Sequence, residues 1–248
     1  MPLYLQKADD AQGDGSFSTV PITLGASPTV GNVLLAFIAT GDFPSPFSVT
    51  KPDALWSLVR EDNFDFCGMH VYTRVVQSGD GVGPYIWSVG NSDNHHGVIY
   101  EYPGIDTTTP VDAHATNSNG GSPVTLALSA TPTVEGAFAV AGYSNDSGGI
   151  SSTITSGWAL DVNQSVGHPS DTASKNAVTS GLGAVAVTFT QNFGNSCIGT
   201  IVLLKPASGG AGDIGVSAFR GFRDAGQLAN LRRRMRRYPQ VFSERCVR

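Results

Sequence analysis

The densest set of side chains able to bind a metal or move a proton is Asn91-Ser-Asp-Asn-His-His96, in which Asp93 closely precedes two adjacent histidines. Imidazole and carboxylate are ligands that zinc takes, so the residue types suit a metal. The spacing does not. Neighbouring side chains on a strand point to opposite faces, so His95 and His96 meet one ion only in an irregular segment. A solvated loop ahead of a strand is the expectation there. Glycoside cleavage would need two carboxyl groups roughly 5–10 Å apart, and Glu101, Glu135 and Asp161 are the acids to consider. No spacing brings two of them together, and strand alternation predicts that Glu101 faces the surface. Asp9-Asp-Ala-Gln-Gly-Asp-Gly15 is acidic and glycine-rich but lacks the alternating acids and terminal Glu of a calcium loop. GxSxG, HExxH, P-loop and strand-to-helix GxGxxG motifs do not occur. The expectation is a non-enzymatic protein with no cofactor and no metal.

Charge is more informative than motif. Residues 1–205 hold 6 Lys or Arg and 17 Asp or Glu, net −11, whereas residues 206–248 hold 9 Arg and 3 acids, net +6. An acidic body with an arginine-only tail is the sign asymmetry of a tail that reaches for a partner. The run Arg232-Arg-Arg-Met-Arg-Arg237 would suit nucleic acid, but the acidic body opposes that and no aromatic stacking pattern accompanies it. An acidic protein surface, including that of a neighbouring copy, is the favoured partner. No apolar run reaches the roughly 18 residues of a membrane helix, and the first ten residues lack a signal-peptide core, so the chain reads as soluble and not exported. Cys67, Cys197 and Cys246 are too widely spaced for a zinc ribbon and odd in number for a disulfide framework.

The elements that position these groups come from 30 Gly, 14 Pro and only 14% charged residues, a composition that fits many short strands better than helices. The chain also repeats itself once, at a separation of about 102 to 104 residues. Leu24 to Asn32 matches Leu128 to Gly136, and the apolar stretches Val33 to Ala39 and Ala137 to Gly142 follow. Trp56 then matches Trp158, Ser78-Gly-Asp-Gly81 matches Ser180-Gly-Leu-Gly183, Tyr85 to Val89 matches Val187 to Gln191, and Gly97 to Tyr102 matches Gly199 to Leu204. Each half reads as about six strands, in the first half Val20–Leu24, Val33–Thr40, Trp56–Arg60, Met69–Val76, Tyr85–Val89 and Val98–Tyr102. Residues 33–39 are apolar on both faces and are expected to be central and covered. The three tryptophans would suit a sugar platform, but their matched places in the repeat mark them as core.

The fold expected is all-β: a jelly-roll-like β-sandwich over residues 1–205, built as one double-sheet body from the repeats 20–105 and 124–205. Two tandem small sandwiches are the alternative. A glycine-rich linker, 206–218, leads to a basic helical arm, 219–248, with Leu228, Leu231 and Met235 at helical spacing and arginines toward its C-terminal end. A lone short helix is marginal in water and needs a surface to dock on. The arm's expected partner-binding residues are Phe219, Phe222, Leu228, Leu231, Arg232, Arg233, Arg234, Met235, Arg236, Arg237, Tyr238 and Phe242.

The series Gly31-Asn-Val-Leu-Leu-Ala-Phe-Ile-Ala39, Trp56, Val71-Tyr-Thr-Arg-Val75, Tyr85-Ile-Trp-Ser88 and Gly97-Val-Ile-Tyr-Glu-Tyr-Pro-Gly-Ile105 resembles a β-sandwich pattern of tailed bacteriophage virion proteins. That pattern has a GNLLVAF-like strand, a Trp, a tyrosine-containing strand and an E-Y-x-G ending. The resemblance covers residues 19–204 and consists of fold-signature residues. It implies a structural role in the virion, as a capsid decoration or a tail-appendage module. Taken with the arm, the expectation is a capsid decoration or cement protein, located in the virion and bound to other virion proteins and to copies of itself in an oligomer, with no membrane partner and with nucleic acid disfavoured by the acidic body. A tail or fibre component with host-glycan binding is the alternative. A carbohydrate-active sandwich enzyme is a further one.

Overall fold

The computed structural model describes residues 4–12, 18–41, 48–90, 94–121, 124–146, 152–164, 170–175, 178–191 and 196–208. All regular structure in them is strand. The first half carries β1 (Gln6–Gln12), β2 (Thr19–Ile22), β3 (Val33–Gly41), β4 (Ser48–Thr50), β5 (Ser57–Phe64), β6 (Cys67–Val75), β7 (Tyr85–Gly90) and β8 (Asn94–Tyr102). The second carries β9 (Val111–Asn119), β10 (Val124–Ala130), β11 (Phe138–Asn145), β12 (Ser152–Ile154), β13 (Trp158–Gln164), β14 (Ser170–Lys175), β15 (Val185–Gln191) and β16 (Cys197–Leu204).

Strand order makes the duplication explicit. The first half forms a five-stranded sheet β1-β8-β3-β6-β5 and a three-stranded sheet β2-β7-β4, and adding eight to every label gives the two sheets of the second half. All pairings are antiparallel. The single pair of sheets expected from the repeat is thus replaced by two pairs. The physical reason lies in the inner strands, because β3, β11 and β16 are buried at every position. A sheet in a two-layer body buries one face, and these sheets bury both.

Period-two alternation sorts the side chains between layers. Along β3, Val33, Leu35, Phe37 and Ala39 enter a cluster shared with Phe138, Val140, Ile198, Val202 and Leu204 of the second half. The intervening Leu34, Ala36 and Ile38 enter a second cluster with Val20, Ile22, Trp56 and Trp87. Its counterpart in the second half holds Leu126, Leu128, Trp158, Val187 and Phe189. The two five-stranded sheets therefore meet at a central seam, and each is backed by its own three-stranded sheet. All three tryptophans are core residues, with Trp56 and Trp87 edge to face at 5.0 Å and the Trp158 indole donating to the Ala186 carbonyl at 3.0 Å.

Pairing also corrects the repeat's register. Trp87 pairs with Val20 and Phe189 with Leu126, so Ile22 answers to Leu128, two residues from the match with Leu24. Gly31 and Gly136, at φ 87° and 79°, each donate to a carbonyl in the segment after β6 or β14, a one-residue correction at the start of the apolar stretch. Four strands escaped the sequence pattern. β1 and β9 are polar sheet edges, QKADDAQ and VDAHATNSN, and β4 and β12 have three residues each. Their core-facing apolar residues are few and mostly small, Ala8 in β1 and Val111, Ala113 and Ala115 in β9, too little for alternation to reveal.

The matched glycines of β8 and β16 show why the halves pack alike. A Cβ on Gly97 would lie 2.7 Å from Val20 Cγ1 and 2.6 Å from Ile22 Cδ1, and one on Gly199 would lie 2.8 Å from Leu126 Cδ2 and 2.8 Å from the Gly142 carbonyl oxygen. Each three-stranded sheet sits down on a glycine of the strand beneath it. Gly97→Ala and Gly199→Ala are each expected to destabilise the body by about 1–3 kcal/mol through overpacking. Gly199→Ala should cost more, since the backbone it meets yields less than a side chain. Urea titration of the two variants checks the order, and a loss smaller for Gly199→Ala than for Gly97→Ala would contradict it.

Candidate functional site

The twelve residues expected to bind a partner, from Phe219 to Phe242, and the linker from residue 209 lie outside the described residues. So does Asp93. The other sequence candidates are placed, several of them differently from expectation. His95 and His96 are buried within β8, not held in a solvated loop, because the strand begins at Asn94. They do take opposite faces: His95 Nε2 meets the Thr19 carbonyl of β2 at 2.8 Å, whereas His96 turns into the seam. A shared ion is thereby ruled out on geometry. Asp9 and Asp10, read as part of a loop, lie on β1 beside β8.

Glu101 is also buried, against the expected surface position. Its carboxylate accepts from Asn32 Nδ2 at 2.6 Å, the Thr29 backbone N–H at 2.8 Å and Gln6 Nε2 at 2.6 Å. Three donors give a buried carboxylate the partners it requires. They tie the segment before β3 to β1 and β8, where the second half has Leu203 facing its own core. Asp161 sits instead at the seam, reached by Tyr4 Oη at 3.3 Å and Tyr100 Oη at 3.4 Å. Burial pushes its carboxyl pKa up. Glu101 and Tyr100 are neighbours on β8 and face opposite ways, so Glu101 and Asp161 do not form a catalytic pair.

The seam holds the most chemically suggestive arrangement among the described residues. His96 Nδ1 is 2.5 Å from Ser170 Oγ of β14, and His96 Nε2 is 3.8 Å from Asp9 Oδ2 of β1. Serine, imidazole and carboxylate in line are the parts of a hydrolase triad. A triad needs its serine at an open cleft and its carboxylate within. Here the order is reversed: Ser170 is 2% exposed, the Asp9 side chain is 44% exposed, and the gap lined by Phe37, Met69, His96 and Ser170 has no room for a water molecule. The arrangement acts as a polar bolt between halves. The neighbouring His96 imidazole holds the Asp9 carboxyl pKa below its usual range.

Further polar links cross or flank the seam. Tyr100 Oη bonds Thr172 Oγ1, and Lys7 Nζ donates to the Asp161 carbonyl. Cys67 Sγ lies 3.3 Å from the Ser196 carbonyl, and Ser196 Oγ donates to Asp65 Oδ2 at 2.5 Å. Cys67 and Cys197 are buried free thiols, and burial pushes the Cys197 pKa up to about 11 and that of Cys67 higher still. Neither is a thiolate nucleophile.

Sequence reasoning had no signal for Ser170, whose strand SDTASK carries small polar residues that are nonetheless buried. Nor had it one for His70. This imidazole is fully buried on β6, and neither ring nitrogen has a hydrogen-bond partner among the described residues. Glu61 Oε1 lies 3.9 Å from Nδ1.

The body's few cations are largely committed. Arg60 binds Asp62, Arg74 binds Asp53 and Asp80, and Lys205 binds Asp106 at 3.1 Å. Lys7 and Lys51 donate to backbone carbonyls. With 6 Lys or Arg against 17 acids in residues 1–205, the surplus negative charge has little left within the body to balance it.

No family model matches the chain, and a search of curated proteins found no match. The resemblance to tailed-phage sandwiches therefore rests on the residues that carry it.

Two measurements probe these buried groups. Burial lowers the His70 pKa from 6.5 to about 4, with nearby Asp62 opposing the shift. The unfolded chain thus takes up a proton before the folded one does. The stability linked to neutral His70 is complete above pH 6.5 and is lost as pH falls toward 4, in total roughly 3 kcal/mol. Denaturant titrations across that range should show this slope in the wild type and a flatter one in His70→Phe. Second, Ser170→Ala leaves His96 Nδ1 unpaired in a dry seam and should cost about 1–3 kcal/mol; a neutral effect would mean that the bolt carries no stability.

Proposed function

We propose that the chain is a structural protein of a tailed-phage virion, a capsid decoration or cement protein whose body is held to its neighbours by the C-terminal arm. The charge division carries this reading. An acidic body whose own cations are locally engaged, joined to a segment with 9 Arg and 3 acids, is built for attraction between copies or to other acidic subunits. The arm is read as a helix that presents Leu228, Leu231 and Met235 with the arginines around them.

Strand order supports the same reading. Each half places β1-β8-β3-β6, or its equivalents, in one sheet and β2-β7-β4 in the other. We read this as a jelly roll whose fifth strand pairs with the sixth, an architecture used by viral capsid and lectin domains. A doubled jelly roll with three stacked cores gives an extensively packed body, the property a decoration protein needs on a particle surface.

The experiment is truncation. Lys205 and Ala207 donate to Pro110 and Gly104 carbonyls at 2.8 and 2.9 Å, so the cut belongs after Ser208. The truncated chain is expected to fold, remain monodisperse and fail to join particles. Arg233→Glu with Arg236→Glu should weaken attachment in a salt-sensitive manner, since exposed ion pairs are screened over about 8 Å at physiological ionic strength. Leu228→Ser with Leu231→Ser should weaken it at high salt too. Incorporation of the truncated chain at full occupancy would assign the contact to the body, and mass spectrometry of separated capsids and tails would decide the location.

A further inference from the structure

A duplicated fold supplies its own control, because a group present in one half and absent from the other is not required by the fold. The clearest such departure lies beside Trp56. Arg74 of β6 answers to Lys175 of β14, since Leu34 pairs with Arg74 while Ala139 stands one residue before the Val140–Ser174 pair. In the turn after β6, Gly79 (φ 94°) matches Gly181 (φ 71°), and Asp80 is replaced by the exposed Leu182. Asp53, three residues before Trp56, has Thr155 as its counterpart before Trp158. Tyr85 is replaced by Val187.

These residues line a cleft of about 370 Å³, together with Pro52, Pro84 and Ile86, a volume in the range of small-molecule sites. Arg74 forms its floor at 5% exposure, clamped by Asp80 through Nε at 3.2 Å and through Nη2, and by Asp53 through Nη1 at 2.7 Å. The guanidinium carbon lies 5.5 Å from the Tyr85 ring and 6.0 Å from that of Trp56. The Tyr85 hydroxyl is held in turn by the Gly81 carbonyl at 2.9 Å. The polar groups are fixed before any ligand arrives, which lowers the entropy cost of binding.

The charges select the ligand. Two carboxylates more than neutralise the guanidinium, so an anion meets net repulsion, and a cation has to compete with Arg74, which already engages both carboxylates. Three of the five guanidinium N–H groups are used, leaving one donor on Nη1, next to Asp53, and one on Nη2; the Asp53 side chain is 45% exposed and its oxygens keep spare lone pairs. A donor next to an acceptor fits a group that does both, and adjacent hydroxyls are such a group. Ile86, exposed on the rim, and the two prolines offer apolar surface for C–H faces.

We propose that the cleft formed by Asp53, Arg74, Asp80 and Ile86 binds a neutral saccharide, with a vicinal diol against Asp53 and Arg74. The proposal concerns the first half alone and stands whether or not the arm attaches the protein to a particle.

Saturation-transfer NMR of the full chain against a panel of free neutral mono- and disaccharides, extended by a glycan array, tests it. At least one saccharide should bind, and Asp53→Asn should weaken it at least tenfold. Gly81→Phe should do the same by filling the cleft, because a side chain at Gly81 enters open space and leaves the backbone unstrained. This second variant keeps the test decisive if Asp53→Asn loosens the turn. Thr155→Ala, at the matched place in the second half, should leave binding unchanged. Absence of binding across panel and array, binding undiminished in Gly81→Phe, or capture of inorganic phosphate or arginine amide in place of sugar would each overturn it.

Discussion

The body depends on one constraint: the inner strands of its two central sheets are buried on both faces, so neither sheet can exist without a partner on each side. Val33 to Gly41 has no exposed position, and its residues go alternately to the seam and to the first half's own core. A two-layer sandwich leaves its outer faces to water. Joining two sandwiches through their larger sheets removes those faces from water and adds a third core without lengthening any strand. The seam is therefore part of the fold of each half, and separating the halves would expose Phe37, Met69, Tyr100, Val140 and Val202 together.

Burial on that scale raises the problem of polar groups trapped within it, and the molecule handles them in two ways. Along the seam they are paired across the halves, as in His96 with Ser170 and Tyr100 with Thr172. Such pairs add specificity to an apolar contact that would otherwise tolerate sliding, because a displaced imidazole loses the Ser170 hydroxyl in a gap with no room for water. On the first half's other face they are paired locally. Glu101 has three donors, and Arg74 has two carboxylates and two rings. His70 departs from both solutions, as do Thr40 Oγ1, Tyr102 Oη and the indole N–H groups of Trp56 and Trp87, and the neutral form of His70 is the one that burial enforces.

Much of this was legible in the sequence, and the reasons it was not elsewhere are specific. Duplication could be read because glycine, tryptophan and turn residues stay fixed where backbone conformation or close packing demands them, as at Gly97 and Gly199. Core strands could be read because their apolar runs are long. The layer count could not, since an apolar run says that both faces are covered but not by what. β1 and β9 were invisible because an edge strand with polar residues on both faces resembles a loop. The sequence places His95 and His96 in a solvated loop ahead of the strand, and Glu101 on the surface by the rule that strand faces alternate between core and solvent. Both expectations fail where a neighbouring strand supplies a carbonyl, a hydroxyl or several N–H groups. Ser170 could be recognised only once β8 and β14 were brought face to face.

The same duplication explains why departures from symmetry are informative. Two copies of one strand set must solve the same packing problem, so Val20 with Ile22 over Gly97 and Leu126 with Leu128 over Gly199 differ in side chain but not in arrangement. Charged groups follow no such rule. The first half buries Arg74, His70 and Glu101, while the second has Leu203 opposite Glu101 and an exposed Leu182 opposite Asp80. The second half forms the same sheets with Lys175 at the place of Arg74, the buried Asp171 at that of His70 and no carboxylate at those of Glu101 and Asp80, so the particular ionic groups of the first half are not the means by which the fold closes. Burying charge costs free energy that apolar residues at the same places would not. Residues that raise that cost in one copy only, and that gather around an open cleft, belong to what the surface does and not to what holds the sheets together.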